Sequence, residues 1–298
     1  MLSVLICSND IFYQNQVREN IKNTIGVPYE ILCFDNRLGK KGICYVYNEL
    51  ASKASFPHLC FVHEDVLFRT QGWGKHILDS FAEDSNIGVI GVAGSKYKSK
   101  TFSGWYTGYR EFDCANILHL DRNGGATQLI FLANDSHDKI EEVVTIDGVF
   151  ISCRKEIWEQ VRVDDDQLKG FHFYDIDFSL RAAQHCSVMV TYEIDMVHIT
   201  TGGDFGNNWV DTAIAYHQSN NDSLPYTKLR SVPHDIEIRI ANTWLDRLKT
   251  VKISWARKVK WIRQQKLYRH SKSYYSILKF LLYKPLGLKY IHRLFKRK

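Results

Sequence analysis

Five acidic or histidine signals in this 298-residue chain stand where chemistry could be done. The sharpest is His63-Glu64-Asp65, which follows the apolar run Leu59-Cys60-Phe61-Val62. A short buried strand that stops on carboxylates places them at the carboxyl edge of a sheet, where open α/β proteins bind ligands. A carboxylate there can hold a hard divalent cation, and the cation can hold a pyrophosphate. Asp35, Asp147 and His198 also follow strand-like runs, and Asp175 opens a helix. Each alone has an ordinary alternative: an Asx turn for Asp35, a core histidine bonded to backbone for His198, a macrodipole partner for Asp175 and Asp177. Residues two apart on a helix do not share a face, so at most one of that last pair points into a given pocket. Five such groups on one sheet edge say more than any one of them.

The elements around them supply such an edge. Residues 3–7 read as a buried strand closed by Ser8-Asn9-Asp10, and 11–25 as a helix with Val17, Ile21 and Ile25 in one stripe, ended by Gly26 and Pro28. Residues 29–34 form a second strand. A right-handed crossover makes the two strands parallel neighbours, with the tips Ser8 and Asp35 at the same edge. A helix over 43–54, the central strand, a helix over 73–81 and a glycine-interleaved strand over 87–94 follow. Periodicity weakens over 95–142, an irregular excursion with a hairpin centred on Asn123-Gly124-Gly125. Stretches of that length inside a domain commonly serve as lids or binding loops. Strands at 143–146 and 149–153, a helix over 154–161, a helix running from Asp175 to His185, and strands at 188–192 and 196–199 complete the pattern. The expected fold class is α/β, a Rossmann-like, mostly parallel sheet flanked by helices.

Composition narrows the field. Hydrophobic content of 45% and charge of 24% are ordinary for a globular chain, and no apolar run reaches eighteen residues. Met1-Leu2-Ser3-Val4 lacks the basic start and cleavage site of a signal peptide. Seven cysteines, an odd number without a Cys-x-x-Cys, argue for a reducing compartment and against a disulfide framework or zinc site. The net charge of +6 hides a split, with +16 in residues 242–298 and −10 in residues 1–241. An acidic body of 1–241 thus carries a basic tail of 242–298. In the tail Trp244, Leu248, Val251, Trp255, Val259 and Ile262 recur at helical spacing among Lys and Arg, an amphipathic pattern suited to an anionic membrane interface or to packing on the body.

Residues 3–8, 30–36, 42–54, 61–66, 147–154 and 171–182 resemble, in order, the family 2 glycosyltransferases of the GT-A fold. His63-Glu64-Asp65-Val66 and Phe171-His172-Phe173-Tyr174-Asp175-Ile176-Asp177-Phe178 are similar to a bacterial subgroup related to a streptomycin-biosynthesis protein. The resemblance covers roughly residues 1–205. It implies donor binding by Ser8, Asp35, Asn48, Glu64 and Asp65, with Asp35 on the nucleotide base. His63-Glu64-Asp65 falls on the family's Asp-x-Asp motif with His63 in place of the first Asp; Asp65 and the late His198 are then the metal ligands. Asp175 is the implied catalytic base, and Asp147, Gly148, His172 and Tyr174 line the sugar and acceptor site.

The implied activity is that of an inverting hexosyl- or deoxyhexosyltransferase dependent on Mn²⁺ or Mg²⁺. It moves a sugar from a nucleoside-diphosphate donor to a glycan or polyprenyl-linked acceptor in bacterial surface polysaccharide synthesis. The chemistry is coherent: a cation neutralises the leaving diphosphate, and a carboxylate takes the acceptor proton. An inactive relative that only binds and a sugar nucleotidyltransferase stand as alternatives. Against the second, Ser8-Asn9-Asp10 offers no glycine-rich basic phosphate loop. The acidic body and absence of a nucleic-acid motif argue against a nucleic-acid partner. The expected location is the cytoplasm, at the inner face of the plasma membrane where the tail docks.

Overall fold

The computed structural model describes residues 1–39, 41–122, 138–200 and 205–283, and residues 128–132 as backbone. It divides into two compact units. The first is Met1–Lys98, Gly104–Gly203 and Asp222–Ser231; the second is Ser99–Ser103, Asp204–Asn221 and Val232–Lys298.

The first unit opens as the sequence leads one to expect, with β1 (Leu2–Ser8), α1 (Ile11–Thr24), β2 (Tyr29–Asp35), α2 (Ile43–Lys53) and β3 (His58–His63). The Asp10 carboxylate caps α1 by accepting from the Phe12 N–H at 2.8 Å. Val17, Ile21 and Ile25 all turn inward. Gly26, at φ +70°, ends the helix in a conformation that costs a residue with a Cβ. β4 (Val66–Phe68), α3 (Trp73–Glu83), β5 (Ile87–Gly91), β6 (Ala93–Ser95), β7 (Tyr97–Lys98), β8 (Asp113–Leu120) and β9 (Gln128–Leu132) follow. Then come β10 (Ile140–Val143), β11 (Thr145–Ile146), β12 (Phe150–Arg154), α4 (Lys155–Val161), α5 (Tyr174–Ala182), β13 (Ser187–Thr191), β14 (Met196–Ile199) and β15 (Tyr226–Thr227).

A seven-stranded sheet runs β10-β13-β5-β12-β3-β1-β2. All but β10 and β12 point the same way, so the sheet is mostly parallel, as expected. Ser8 pairs with Asp35 and Cys7 with His63, which sets the tips of β1, β2 and β3 on one edge. A second sheet runs β11-β6-β8-β14-β4, with β9 on β8, and β15 pairs with β7. β8 and β9 pair antiparallel; the expected hairpin centre at Asn123-Gly124-Gly125 lies outside the described residues.

The second sheet corrects the reading of single strands over 87–94 and 143–146. Each splits, at Val92 and at Val144, and its two halves join different sheets. β3 and β4 do the same across Glu64-Asp65. Gly94 shows why the middle of such a strand stays small, since a Cβ there would lie 2.1 Å from the Thr145 carbonyl oxygen. An apolar cluster runs from Val4 and Ile6 through Trp73, Phe150 and Met196, and further buried residues such as Leu5, Phe61 and Phe178 lie outside it.

The second unit is helical among its described residues: α6 (Asn207–Ser219), α7 (Ile236–Leu248), α8 (Trp255–Gln264) and α9 (Tyr274–Leu282). Trp244, Leu248 and Ile262, half of the stripe expected to face a membrane or the body, are interior here. Trp244 stacks on Trp209 with ring centroids 5.0 Å apart, and Trp209 packs on Trp261. Of that stripe Trp255 is exposed. A buried Lys258 donates to the Phe280 carbonyl at 2.7 Å, tying α8 to α9.

Candidate functional site

The break between β3 and β4 carries His63-Glu64-Asp65 out of the first sheet and into the second. β4 pairs with β14, and His198 lies opposite Val66. That register sets the His198 imidazole against the Asp65 carboxylate, Nε2 to Oδ1 at 3.2 Å. His63, at the tip of β3, closes the group. One ligand-capable atom from each of His63, Asp65 and His198 lies within 4.8 Å of the others. Asp65 is buried, and Arg122 places its Nη2 on the carboxylate's other oxygen. Burial alone would raise the Asp65 carboxyl, but the His198 hydrogen bond, the nearby imidazoles and Arg122 hold it well below the usual carboxylate range.

The His63 ring is also held. Its Nε2 lies 3.1 Å from the Tyr174 hydroxyl, and that hydroxyl donates to the Gly148 carbonyl at 3.1 Å. With the phenol proton spent on Gly148, the imidazole is the donor in the other bond. The proton then sits on Nε2 and the lone pair on Nδ1. Burial lowers the His63 pKa, which favours the neutral, ligating form. Gly148 must be glycine for this contact, because a Cβ would fall 2.0 Å from the Tyr174 hydroxyl.

Tyr174 begins α5, and the residue before it, Phe173, sits at φ +67°, a left-handed conformation that bulky residues avoid. Asp175 follows, half-buried. Its Oδ2 accepts from the Gly148 N–H and its Oδ1 from the Ile176 N–H, each at 2.9 Å. Asp147 holds the Val149 N–H at 2.9 Å and takes the Trp105 indole N–H on its other oxygen. Burial and the facing Asp147 carboxylate raise the Asp175 pKa well above the ordinary range, outweighing the two backbone N–H donors. Asp177 points elsewhere, into an ion pair with Arg181 one turn on. The pair thus diverges as two-residue helical spacing requires.

The donor-side residues behave less alike. Glu64 turns back on the first strand, with its Oε2 accepting from the Ser8 hydroxyl at 2.7 Å and from the Asn9 and Asp10 N–H groups at 3.0 Å. Asp35 is exposed at its strand tip and is gripped by Arg37 at 2.6 and 2.9 Å, which pulls its pKa down to about 2. Asn48, on α2, donates to the Val163 carbonyl at 2.9 Å. His172 is half-buried ahead of α5 and does not join the three-group cluster.

Three residues at the site escape the sequence reading. His63 stands in the Asp-x-Asp position, which was the signal available for it as a ligand. Trp105 and Arg122 lie in the aperiodic 95–142 segment, where nothing in the sequence marks them.

Comparison with known proteins completes the picture. A family model described as a glycosyltransferase-like family matches residues 3–223. No curated protein matches the sequence. Among solved structures, one of GalNAc-T7 with UDP, GalNAc and Mn²⁺ aligns at TM-score 0.51 and 9% identity, covering 80% of this chain and 53% of that one. This chain therefore spans about half the length of that transferase. Another, of the mannosyltransferase PcManGT from Pyrobaculum calidifontis with GDP-Man and Mn²⁺, aligns at TM-score 0.49 and 9% identity, covering 100% of this chain and 88% of that one. With the matched segment spanning most of its length, the chain belongs to the glycosyltransferase-like family and carries the GT-A fold.

Proposed function

We propose that this glycosyltransferase moves a hexosyl or deoxyhexosyl group from a nucleoside-diphosphate donor to an acceptor hydroxyl with inversion, using a divalent cation. One observation carries the reading: a His63–Asp65–His198 cluster joined, through the Tyr174 hydroxyl and Gly148, to a half-buried Asp147–Asp175 pair. Two imidazoles and a carboxylate make a mixed nitrogen and oxygen donor set, one that suits Mn²⁺ better than Mg²⁺. The free lone pair on His63 Nδ1 and the ionised Asp65 fit that role. When bound, the ion supplies neutralisation of the charge gathering on the leaving diphosphate.

The chain's own groups do the rest. Asp175 takes the proton from the acceptor hydroxyl at its carboxylate. Its raised pKa makes it a stronger base than an ordinary aspartate, and the Gly148 and Ile176 N–H groups fix its direction. Asp147, anchored by Trp105 and the Val149 N–H, keeps a second negative charge beside it. Gly148, His172 and Tyr174 line the sugar and acceptor side. On the donor side, Asp35 meets the base, Ser8 and Glu64 shape the turn beneath the nucleotide, and Asn48 braces α2. The acceptor is a glycan or polyprenyl-linked sugar in surface polysaccharide synthesis.

A lipid-linked acceptor would suit a docked enzyme. Among the described residues no helix is long and apolar enough to cross a membrane. α9 instead exposes Tyr275, Leu278 and Leu282 beside Lys279, with Lys272 just ahead of the helix, an interfacial pattern. Leu278→Glu combined with Leu282→Glu should release the protein from anionic vesicles; unchanged sedimentation contradicts docking through α9. For the activity itself, a thermal-shift screen of nucleoside diphosphates should show stabilisation that needs Mn²⁺ and is lost in Asp65→Ala. No stabilisation by any of them with Mn²⁺ present would contradict the assignment.

A further inference from the structure

Asp65 already holds a cation supplied by the chain. Arg122, two residues beyond β8, sets its Nη2 on Asp65 Oδ2, while His198 Nε2 faces Oδ1. Both carboxylate oxygens are therefore engaged. Among the described residues the other partners of Arg122 are neutral: its Nε donates to the Ile199 carbonyl at 3.0 Å, and its guanidinium lies 4.5 Å from the centre of the Tyr13 ring. They orient the guanidinium without matching its charge. Among its described contacts, Asp65 alone does that.

A divalent ion on Asp65 would share the carboxylate with this guanidinium, and two cations at such range repel strongly at a site screened from water. The two sides are unequally free to give way. The Asp65 side chain is 12% exposed and fixed between two strands, whereas the Arg122 side chain is 36% exposed. The fork of an arginine also matches two adjacent phosphate oxygens as well as it matches a carboxylate.

We infer that Arg122 is a resident counter-ion at the metal carboxylate, displaced when the ion binds and received by the diphosphate of the incoming nucleotide. It is a positioning residue that couples the two ligands. The ion alone binds weakly because it must evict Arg122. With a diphosphate present the evicted guanidinium has a new partner, and by reciprocity each ligand tightens the other by the same factor. The inference rests on Asp65 being the metal carboxylate.

Direct titration tests it on the full-length protein, following free Mn²⁺ by its electron paramagnetic resonance signal and UDP and GDP by calorimetry at saturating Mn²⁺. Arg122→Gln should bind Mn²⁺ on the order of tenfold more tightly than wild type without nucleotide, and the better of the two nucleotides on the order of tenfold more weakly. Mn²⁺ affinity unchanged or reduced in that variant overturns the inference, as does tighter Mn²⁺ with unaltered nucleotide affinity. Arg122→Lys, which keeps the charge without the planar fork, should fall between wild type and Arg122→Gln in both titrations. It carries the test if the glutamine variant does not fold, and values equal to wild type in both would again overturn the inference. Asp65→Asn separates the two levels: if it leaves Mn²⁺ binding intact, the metal site itself is misassigned, whatever Arg122→Gln does.

Discussion

Asp65 and Asp175 are both aspartates drawn into the first unit, and their surroundings push them in opposite directions. Asp65 is ringed by His198, His63 and Arg122, and its carboxyl is held ionised against the cost of burial. Asp175 has Asp147 as its charged neighbour, so burial and like charge act together to favour its proton. Paired titratable groups driven apart in this way mark a division of labour. The carboxylate kept anionic is fitted to a cation; the one with raised proton affinity is fitted to receive a proton. Tyr174 stands between them, bonded to His63 on one side and Gly148 on the other.

Substitutions can break the contrast at either pole. The largest effect is expected at Asp175. Asp175→Asn should lower kcat by up to about 10⁴-fold, the upper range for a lost general base, with donor affinity nearly unchanged. Donor binding lost alongside turnover would move Asp175 to the donor side. The wild-type pH profile sharpens the same point, because the base must be ionised and its pKa is raised. The acid limb of kcat should lie clearly above the ~4 of an ordinary aspartate and disappear in Asp175→Asn. Stability should run the opposite way: the native state holds that proton more firmly than the unfolded chain. Stability is full below the unfolded value and falls as pH rises through the raised one, and Asp175→Asn should flatten the trend in thermal melts.

At the other pole, Asp65→Ala or removal of metal by chelation should lower kcat/KM by roughly 10³-fold, equivalent to the several kcal/mol a Lewis acid supplies. Mn²⁺ should restore the chelated wild type but not the variant. Tyr174→Phe leaves the His63 N–H and the Gly148 carbonyl without their shared partner, and should cost about tenfold in kcat/KM, within the 1–3 kcal/mol of an unsatisfied buried group. A milder loss in Tyr174→Phe than in Asp65→Ala is the ordering the contrast requires. The smallest change is expected at exposed Asp35, where Asp35→Asn should raise the donor KM by about two- to fivefold with kcat preserved.

Much of this arrangement is legible in the chain itself. Strand, helix and strand with a fixed crossover hand dictate that Ser8 and Asp35 share an edge, and their register pairing shows it. Four-residue spacing picks out Val17 and Ile21 as inward-facing. The break of β3 on charge marks where Asp65 emerges. What escapes depends on long-range pairing that no local period encodes. A run of small and branched residues over 87–94 looks like one strand, yet Val92 carries it from one sheet to another. Arg122 comes from an aperiodic stretch and is set beside Asp65 by the β8–β14–β4 order alone. The stripe through Trp244 and Leu248 has the period of a surface helix; stacking on Trp209 buries Trp244, and Leu248 and Ile262 are interior with it, while Trp255 of the same stripe stays exposed. Glu64 accepts from the Asn9 and Asp10 N–H groups more than fifty residues away, a contact that no local period announces.

Anomalous scattering at the manganese edge, from crystals grown with Mn²⁺ and the nucleoside diphosphate that the thermal screen selects, probes the core of this account. A single strong peak within bonding distance of an Asp65 carboxylate oxygen and of the His63 and His198 imidazoles, with diphosphate oxygens on its open side, is the predicted result. A peak on the Asp147–Asp175 pair, with none beside Asp65, would contradict it and exchange the roles of the two carboxylates.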